Sequence, residues 1–243
     1  MKLEISRYKV RENKEFSKNI YEQERVLYKI CSDYESYEVQ EILTYIYSMP
    51  KIDGVLGIND LLSENGIVYG YTMPKLDYSV SLQDIIENNF TPEAKCYLIN
   101  EITNIIKKLH KYMMIGDVRL SNIPIFIDLE NGQKINENKS LLTYYNITNK
   151  KYTIMDDIFK LFIVIMSILF NKNFEYLFVT NKRVYFDEII DNIDSIELKT
   201  YYEYLKSSLN EESSYPIYFT DIFSDFTPDV VKDLTEKELK LKM

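Results

Sequence analysis

Six residues, Asp117-Val-Arg-Leu-Ser-Asn122, combine residue types and spacing that could do chemistry. A carboxylate, a cation two places on and an amide three beyond that supply what phosphoryl transfer asks of a loop. The carboxylate takes the acceptor hydroxyl's proton, the cation lies against the moving phosphate, and the amide is a ligand for Mg²⁺. Alone the pattern is weak, since Asp and Asn are common in any loop. An ordinary helix-to-strand turn, with Asn122 satisfying backbone groups, fits it too. The surroundings add weight: a helix-like segment ends at Leu109-His110, and an apolar run, Ile123 to Ile127, follows the loop.

Other elements must hold such a loop, and the chain changes character to provide them. Residues 1–76 read as strand-rich with one helix, and residues 77–243 as helical. Tyr8–Val10 and Arg25–Ile30 carry β-branched and aromatic residues with partial alternation. From Glu35 to Met49, Val39, Ile42, Leu43 and Ile46 recur at helical spacing, and Pro50 and Gly54 end that helix. Val55–Asp60 and Gly66–Met73 read as strands joined by the turn Ser63-Glu-Asn-Gly66. Leu82–Asn88 is a short helix. Thr91 is placed to cap a long one with Pro92 at its first position, its buried stripe being Leu98, Ile102, Ile105, Ile106 and Leu109. Asp117–Ile135 reads as loop and hairpin, turning at Glu130-Asn-Gly132, and residues 136–155 show no element. Asp157–Phe170 is the strongest helix, apolar nearly all round. Helix continues to about Leu209, followed by an acidic tail read as solvated, with Tyr215–Phe226 aromatic enough to dock on a partner.

Composition excludes several functions. A net charge of −9 and the lack of a basic stripe with interleaved aromatics argue against nucleic acid. Two cysteines and one histidine are too few for a Cys/His metal site, and Cys31 and Cys96 read as buried thiols in a reducing cytosol. The charged N-terminal stretch lacks a signal peptide's apolar core. The apolar run Leu161–Phe170 is too short to span a bilayer. These features imply a cytoplasmic protein without a membrane partner (host cytoplasm, for a viral or effector protein). His110 reads as a loop-packing residue at a helix end.

The order of the motifs resembles that of the protein kinases. Val26-Leu-Tyr-Lys29-Ile30 resembles the third kinase strand, whose Lys holds the α/β-phosphates. Glu41 is similar to the helix Glu that pairs with that Lys, Glu38 being the alternative. Gly66–Leu76 looks like the fifth strand and hinge, with Thr72 or Met73 as gatekeeper and Met73 lining the nucleotide site. Ile105–Asp117 resembles the helix and loop before the catalytic acid/base, which makes Asp117 that base, Arg119 the phosphate-facing cation and Asn122 the metal ligand. Asp157-Ile-Phe-Lys-Leu-Phe resembles the buried helix whose leading Asp holds the catalytic-loop backbone. The resemblance implies an α+β, bilobal protein-kinase-like fold. Its N-lobe is an antiparallel sheet plus one helix, its C-lobe is helical, and the activation segment is shortened.

Departures from the family pattern shape the functional expectation. The glycines stand at 54, 57, 66, 70, 116 and 132, so none precedes Lys29 to form a backbone phosphate cradle. Ile115-Gly116 replaces the His-Arg before the catalytic Asp. The magnesium-binding D-F-G falls near Asn136–Asn138, and Asn is a poorer Mg²⁺ ligand than a carboxylate. No A-P-E precedes Asp157, and 34 residues separate it from Asn122. The expectation is a pseudokinase that binds a protein partner, a true kinase among the candidates, and holds ATP and Mg²⁺ weakly or not at all. The alternatives are an atypical active phosphotransferase, with Asp128, Glu130 or Glu137 as metal carboxylate, and an unrelated α+β interaction domain.

Overall fold

Asn65 and Gly66 both have positive φ, 54° and 82°, which is the geometry of a two-residue hairpin turn matched to twisted strands. The turn fixes its own register, with Glu64 facing Ile67. It joins β4 (Asp60–Glu64) to β5 (Ile67–Pro74). The first of these strands therefore lies against the turn; of the segment 55–59 expected to be strand, Val55 makes an isolated bridge and the Asn59 N–H bonds to the Thr72 carbonyl at 2.8 Å just before β4.

The computed structural model describes residues 11–12, 20–23, 25–31, 36–76, 79–116, 118–126, 153–180, 183–209, 215–223 and 226–236. Tyr8–Val10 and the Glu130-Asn-Gly132 turn lie outside them. The chain divides into two compact units, Met1–Ser79 and Val80–Met243.

The first unit is an antiparallel sheet of order β1-β2-β3-β5-β4, where β1 is Arg11–Glu12, β2 Ile20–Gln23 and β3 Val26–Ile30. One helix, α1 (Tyr37–Ser48), packs on β4 and β5. Val39, Leu43 and Ile46 are its buried face. Gln40 pins it: the side-chain amide donates to the Val68 carbonyl and accepts the Val68 N–H at 2.7 Å. This contact falls where the β4–β5 ladder slips register between Leu62 and Ser63.

The second unit is built on two helices, α3 (Pro92–Leu109) and α4 (Ile154–Phe170). A short β6 (Ser79–Ser81) pairs with β7 (Pro124–Phe126), and α2 (Leu82–Ile85) follows β6 directly. Thr91 caps α3 as expected, its hydroxyl accepting the Ala94 N–H at 3.3 Å, and the whole expected stripe is buried. Thr153 and Asp156 cap α4 reciprocally, so it begins three residues before Asp157. Every residue from Leu161 to Leu169 is buried, which is why periodicity could not assign this helix a solvent face. Around it stand α5 (Glu175–Val179), α6 (Arg183–Asn192), α7 (Ile196–Ser208), α8 (Phe219–Ile222) and α9 (Pro228–Glu236).

The tail is not solvated as a whole. Tyr218, Phe219, Phe226, Val231 and Leu234 are buried, and α9 packs on α3 and α4. The aromatic segment thus docks on its own chain. Of the thiols, Cys96 is buried and Cys31 only half-buried. Among the described residues no helix is long and apolar enough to cross a membrane.

Three of the buried tyrosines give the fold an alkaline limit. Tyr201 donates to the Ile217 carbonyl at 2.8 Å and Tyr202 to Asp187 at 2.6 Å. Burial first, then neighbouring charge or hydrogen bonding, raises the phenol pKa of both, and pushes that of Tyr218 up to about 12. An unfolded tyrosine ionises near pH ~10. Because the folded values lie higher, this stability is complete below that pH and is lost as pH rises through the folded values. Urea midpoints measured from pH 8 upward should therefore hold steady and then fall above about pH 10, with phenolate absorbance from these residues appearing together with unfolding. Phenolate that appears fully before any loss of structure would refute this.

Candidate functional site

Gly116 is where the loop begins, and both of its backbone polar groups are held by α4. Its N–H donates to Asp157 Oδ1 at 2.8 Å, and its carbonyl accepts from Lys160 Nζ at 2.6 Å. Asp157 Oδ2 takes the Ile115 N–H at 2.6 Å and faces His110 Nε2 at 3.3 Å. A carboxylate suits this position because it only accepts, and two backbone donors converge on it beside the His110 ring nitrogen. Gly116 has a φ of 76°, a left-handed conformation that favours glycine in place of the larger residue kinases carry there. Farther along, Glu175 accepts the Leu120 N–H at 2.6 Å. Three side chains from α4 and α5 thus fix the backbone on either side of Asp117.

Asp117 itself lies outside the described residues. Arg119 is exposed, and its carbonyl accepts the Asn122 N–H at 3.0 Å in the single 3-10 turn Leu120–Asn122. Asn122 is buried with Val118, Leu120 and Ile123. Glu130, Asp128, Glu137 and Asn136–Asn138 also lie outside the described residues. Among those described, no group of three His, Cys, Asp or Glu could hold a metal ion. The described residues therefore do not make a magnesium site, and Asn122 brings only a neutral amide.

The first unit holds the other expected residues. Lys29 is half-buried on β3, opposite Tyr71 of β5 and Ile20 of β2. Glu41 is exposed and bonds to the Tyr37 hydroxyl, whose pKa it raises chiefly through that hydrogen bond. No ion pair joins Glu41 to Lys29 among the described residues. The physical reason is helical phase: α1 turns Val39, Leu43 and Ile46 to the sheet, with Gln40 beside them and Glu41 facing away. The Glu38 side chain lies outside the described residues. Met73 is fully buried opposite Leu27, and Thr72 bonds to the Asp60 backbone through its hydroxyl.

His110 caps α3 at its C-terminus and packs between Asp157 and Tyr218, in keeping with a loop-packing histidine. Lys160, Glu175 and Tyr218 were not singled out from sequence. For Lys160 a signal exists, since it is the single charged residue from Ile158 to Phe170. Glu175 and Tyr218 carry none.

No protein-family model matches the sequence, and no curated protein matches it. A solved structure does: the pseudokinase of Drosophila melanogaster PAN3, at a TM-score of 0.55 and 13% identity, over 89% of this chain. The chain has a protein-kinase-like fold. At that identity the likeness concerns fold alone, and this chain spans 60% of that structure's length. The kinase-like architecture sets aside the reading as an unrelated α+β domain. Within the kinase-like frame the antiparallel sheet with α1 stands for the N-lobe, and α3, α4 and their neighbours for the C-lobe. Asp157 of α4 holds the loop backbone as the motif resemblance implied.

Proposed function

We propose that this kinase-like chain is a pseudokinase: it acts by binding a protein partner and holds nucleotide weakly or not at all. The β1–β2 hairpin carries the reading. Arg11 pairs with Glu22 and Glu12 with Tyr21, so the hairpin that covers the phosphates in nucleotide-binding kinases is formed. Yet no glycine stands between Arg11 and Lys29, and the connection carries Lys14, Glu15, Phe16 and Lys18. Only glycine lets backbone N–H groups approach phosphates closely, so the composition of this stretch argues against a backbone cradle. The outward Glu41 supports the same reading. Partner binding follows, in this reading, from a kinase-like fold whose sequence lacks the glycine cradle for nucleotide, and a true kinase is one partner of suitable kind.

Thermal shift with ATP and Mg²⁺ tests it. A ligand at 100 times its Kd stabilises by about 2.7 kcal/mol, which for a chain of this size raises Tm by roughly 5–10 °C. The expected shift at millimolar MgATP is about 1 °C or less. A magnesium-dependent shift of about 5 °C or more would overturn the proposal. Isolation from the native source should also yield a stoichiometric protein partner, and a chain that always elutes alone would count against partner binding.

One observation favours an active phosphotransferase instead, namely that the loop carrying Asp117, Arg119 and Asn122 is anchored by Asp157, Lys160 and Glu175. In that reading Lys29 meets the α/β-phosphates, Asp117 is the base, Arg119 faces the moving phosphate and Asn122 binds Mg²⁺. Label transfer from ATP that Asp117→Asn abolishes, with the fold unchanged, would establish it.

A further inference from the structure

The segment Tyr215–Phe223 crosses the second unit bound at several points by side chains. Tyr201 donates to the Ile217 carbonyl, Tyr204 to the Tyr215 carbonyl, and Lys107 bonds to Thr220 and Asp221. Asp221 in turn accepts the Tyr218 N–H at 3.0 Å. From this strap the Tyr218 hydroxyl reaches His110 Nδ1 at 2.9 Å, while the opposite ring nitrogen faces Asp157. Asp157 is the residue that holds Ile115 and Gly116.

Proton placement along this chain follows from donor and acceptor types. Asp157 already accepts two backbone N–H groups, so as a carboxylate it needs a donor from the imidazole. His110 must then carry its proton on Nε2. In the neutral ring Nδ1 becomes an acceptor, and the phenol is what donates to it. Burial, with Asp221 and Asp157 nearby, holds the Tyr218 pKa up at about 12, so the phenol keeps its proton. Among the described residues, the charged or titratable groups facing the pair include Asp157 on α4, Lys107 on α3, 5.0 Å from the centre of the Tyr218 ring, Tyr201 on α7 and Asp221 on α8.

We propose that Tyr218 is a positioning residue through which the strap Tyr215–Phe223 locks the loop: its hydroxyl fixes His110 as the Nε2–H tautomer, which steadies the Asp157 carboxylate under Ile115 and Gly116. Detaching the strap loosens the backbone just before Asp117. The device works whether or not the loop performs chemistry, so its test is separate from the nucleotide test above.

The sequence holds one histidine, so its ring nitrogens give unambiguous NMR signals. Long-range proton–nitrogen spectra of the wild-type chain near pH 7 should show the Nε2–H tautomer. The Nδ1–H tautomer, or a doubly protonated ring, would overturn the proposal without any variant being needed. In Tyr218→Phe the ring and its packing remain while the donor is lost. Amide exchange at Ile115 and Gly116 should then speed up about three- to tenfold, the scale of one hydrogen bond, with α7 amides unaffected and the His110 tautomers mixed. Unchanged exchange at those two amides in a folded Tyr218→Phe would also refute the lock. A merely space-filling Tyr218 would leave the histidine tautomer untouched.

Discussion

Asp157→Ala should lower stability by about 3–5 kcal/mol, the scale of breaking a buried, paired charge, and Tm by roughly 6–20 °C. The carboxylate is fully buried and accepts from the Ile115 and Gly116 N–H groups while facing the His110 Nε2. Alanine removes every acceptor at once. Two buried amides and one imidazole N–H are then left without a partner, each at about 1–3 kcal/mol. Water cannot easily make good the loss, because Ile115, Val118, Leu120 and Ile158 around the site are buried and apolar. Asp157→Asn keeps one acceptor oxygen but turns an NH₂ toward the remaining donors. It should therefore fall between wild type and alanine, closer to alanine. Urea unfolding of the three proteins gives the order directly. A loss below about 1 kcal/mol for the alanine variant would mean that Lys160 and Glu175 hold the loop without Asp157.

That anchorage was legible in sequence because it needs few residues in a fixed order. The order Leu109-His110, Gly116, Asp157 resembles that of the protein kinases, and that resemblance implied that the leading Asp of the second helix holds the loop backbone. The long helices were equally legible: Thr91-Pro92 marks a start, and the stripe from Leu98 to Leu109 marks a face. The same logic, carried further, reaches α9. Thr227-Pro228-Asp229 repeats the pattern Thr91-Pro92-Glu93, and Thr227 caps the last helix through the Val230 and Val231 N–H groups. Its acidic composition hid that start, although Val231 and Leu234 are buried.

Other features were written in the sequence but not weighed. The stripe Val39, Leu43, Ile46 by itself puts Glu41 on the far side of α1, since two residues are ~200° of helical rotation from Leu43. The kinase-like alignment overrode that phase. Likewise Asn65-Gly66 demands strands that abut it on both sides, so β4 had to include Leu62 and Glu64 and not stop at Asp60. The contacts of Lys160, Glu175 and Tyr218 belong to a different class. Each joins residues from 44 to 108 positions apart, and nothing in local pattern announces which distant group each polar side chain will meet.

Gly70→Ala should be the most damaging single-methyl change in the first unit. Gly70 sits mid-strand on β5, opposite Ile30 of β3 and Leu62 of β4, so it is paired on both sides, one strand in from the β4 edge of the five-stranded sheet. A Cβ built on it would stand 2.2 Å from the Lys29 carbonyl oxygen and 3.3 Å from the Ile30 Cα. Both obstacles are backbone, and neither can swing aside as a flexible side chain would. The strands must part, which costs ladder hydrogen bonds as well as packing. Overpacking a core typically costs about 1–3 kcal/mol, and the lost pairing places this change at the upper end, about 3 kcal/mol. Two other glycines are controls with different physics. At Gly57 nothing lies within 4 Å of the added atom, and alanine should change stability by less than about 0.5 kcal/mol. At Gly66 the space is open but φ is 82°, so alanine should cost roughly 1 kcal/mol through backbone strain alone. If Gly70→Ala behaved like Gly57→Ala, β3 and β5 could not be packed as closely as described, and the placement of Lys29 would fall with them. If instead it unfolds the sheet while amides of α3 and α4 stay protected from exchange, the first unit depends on a glycine that carries no turn and no ligand. What that glycine supplies is room for the carbonyl of Lys29, the residue that the active-phosphotransferase reading assigns to the α/β-phosphates.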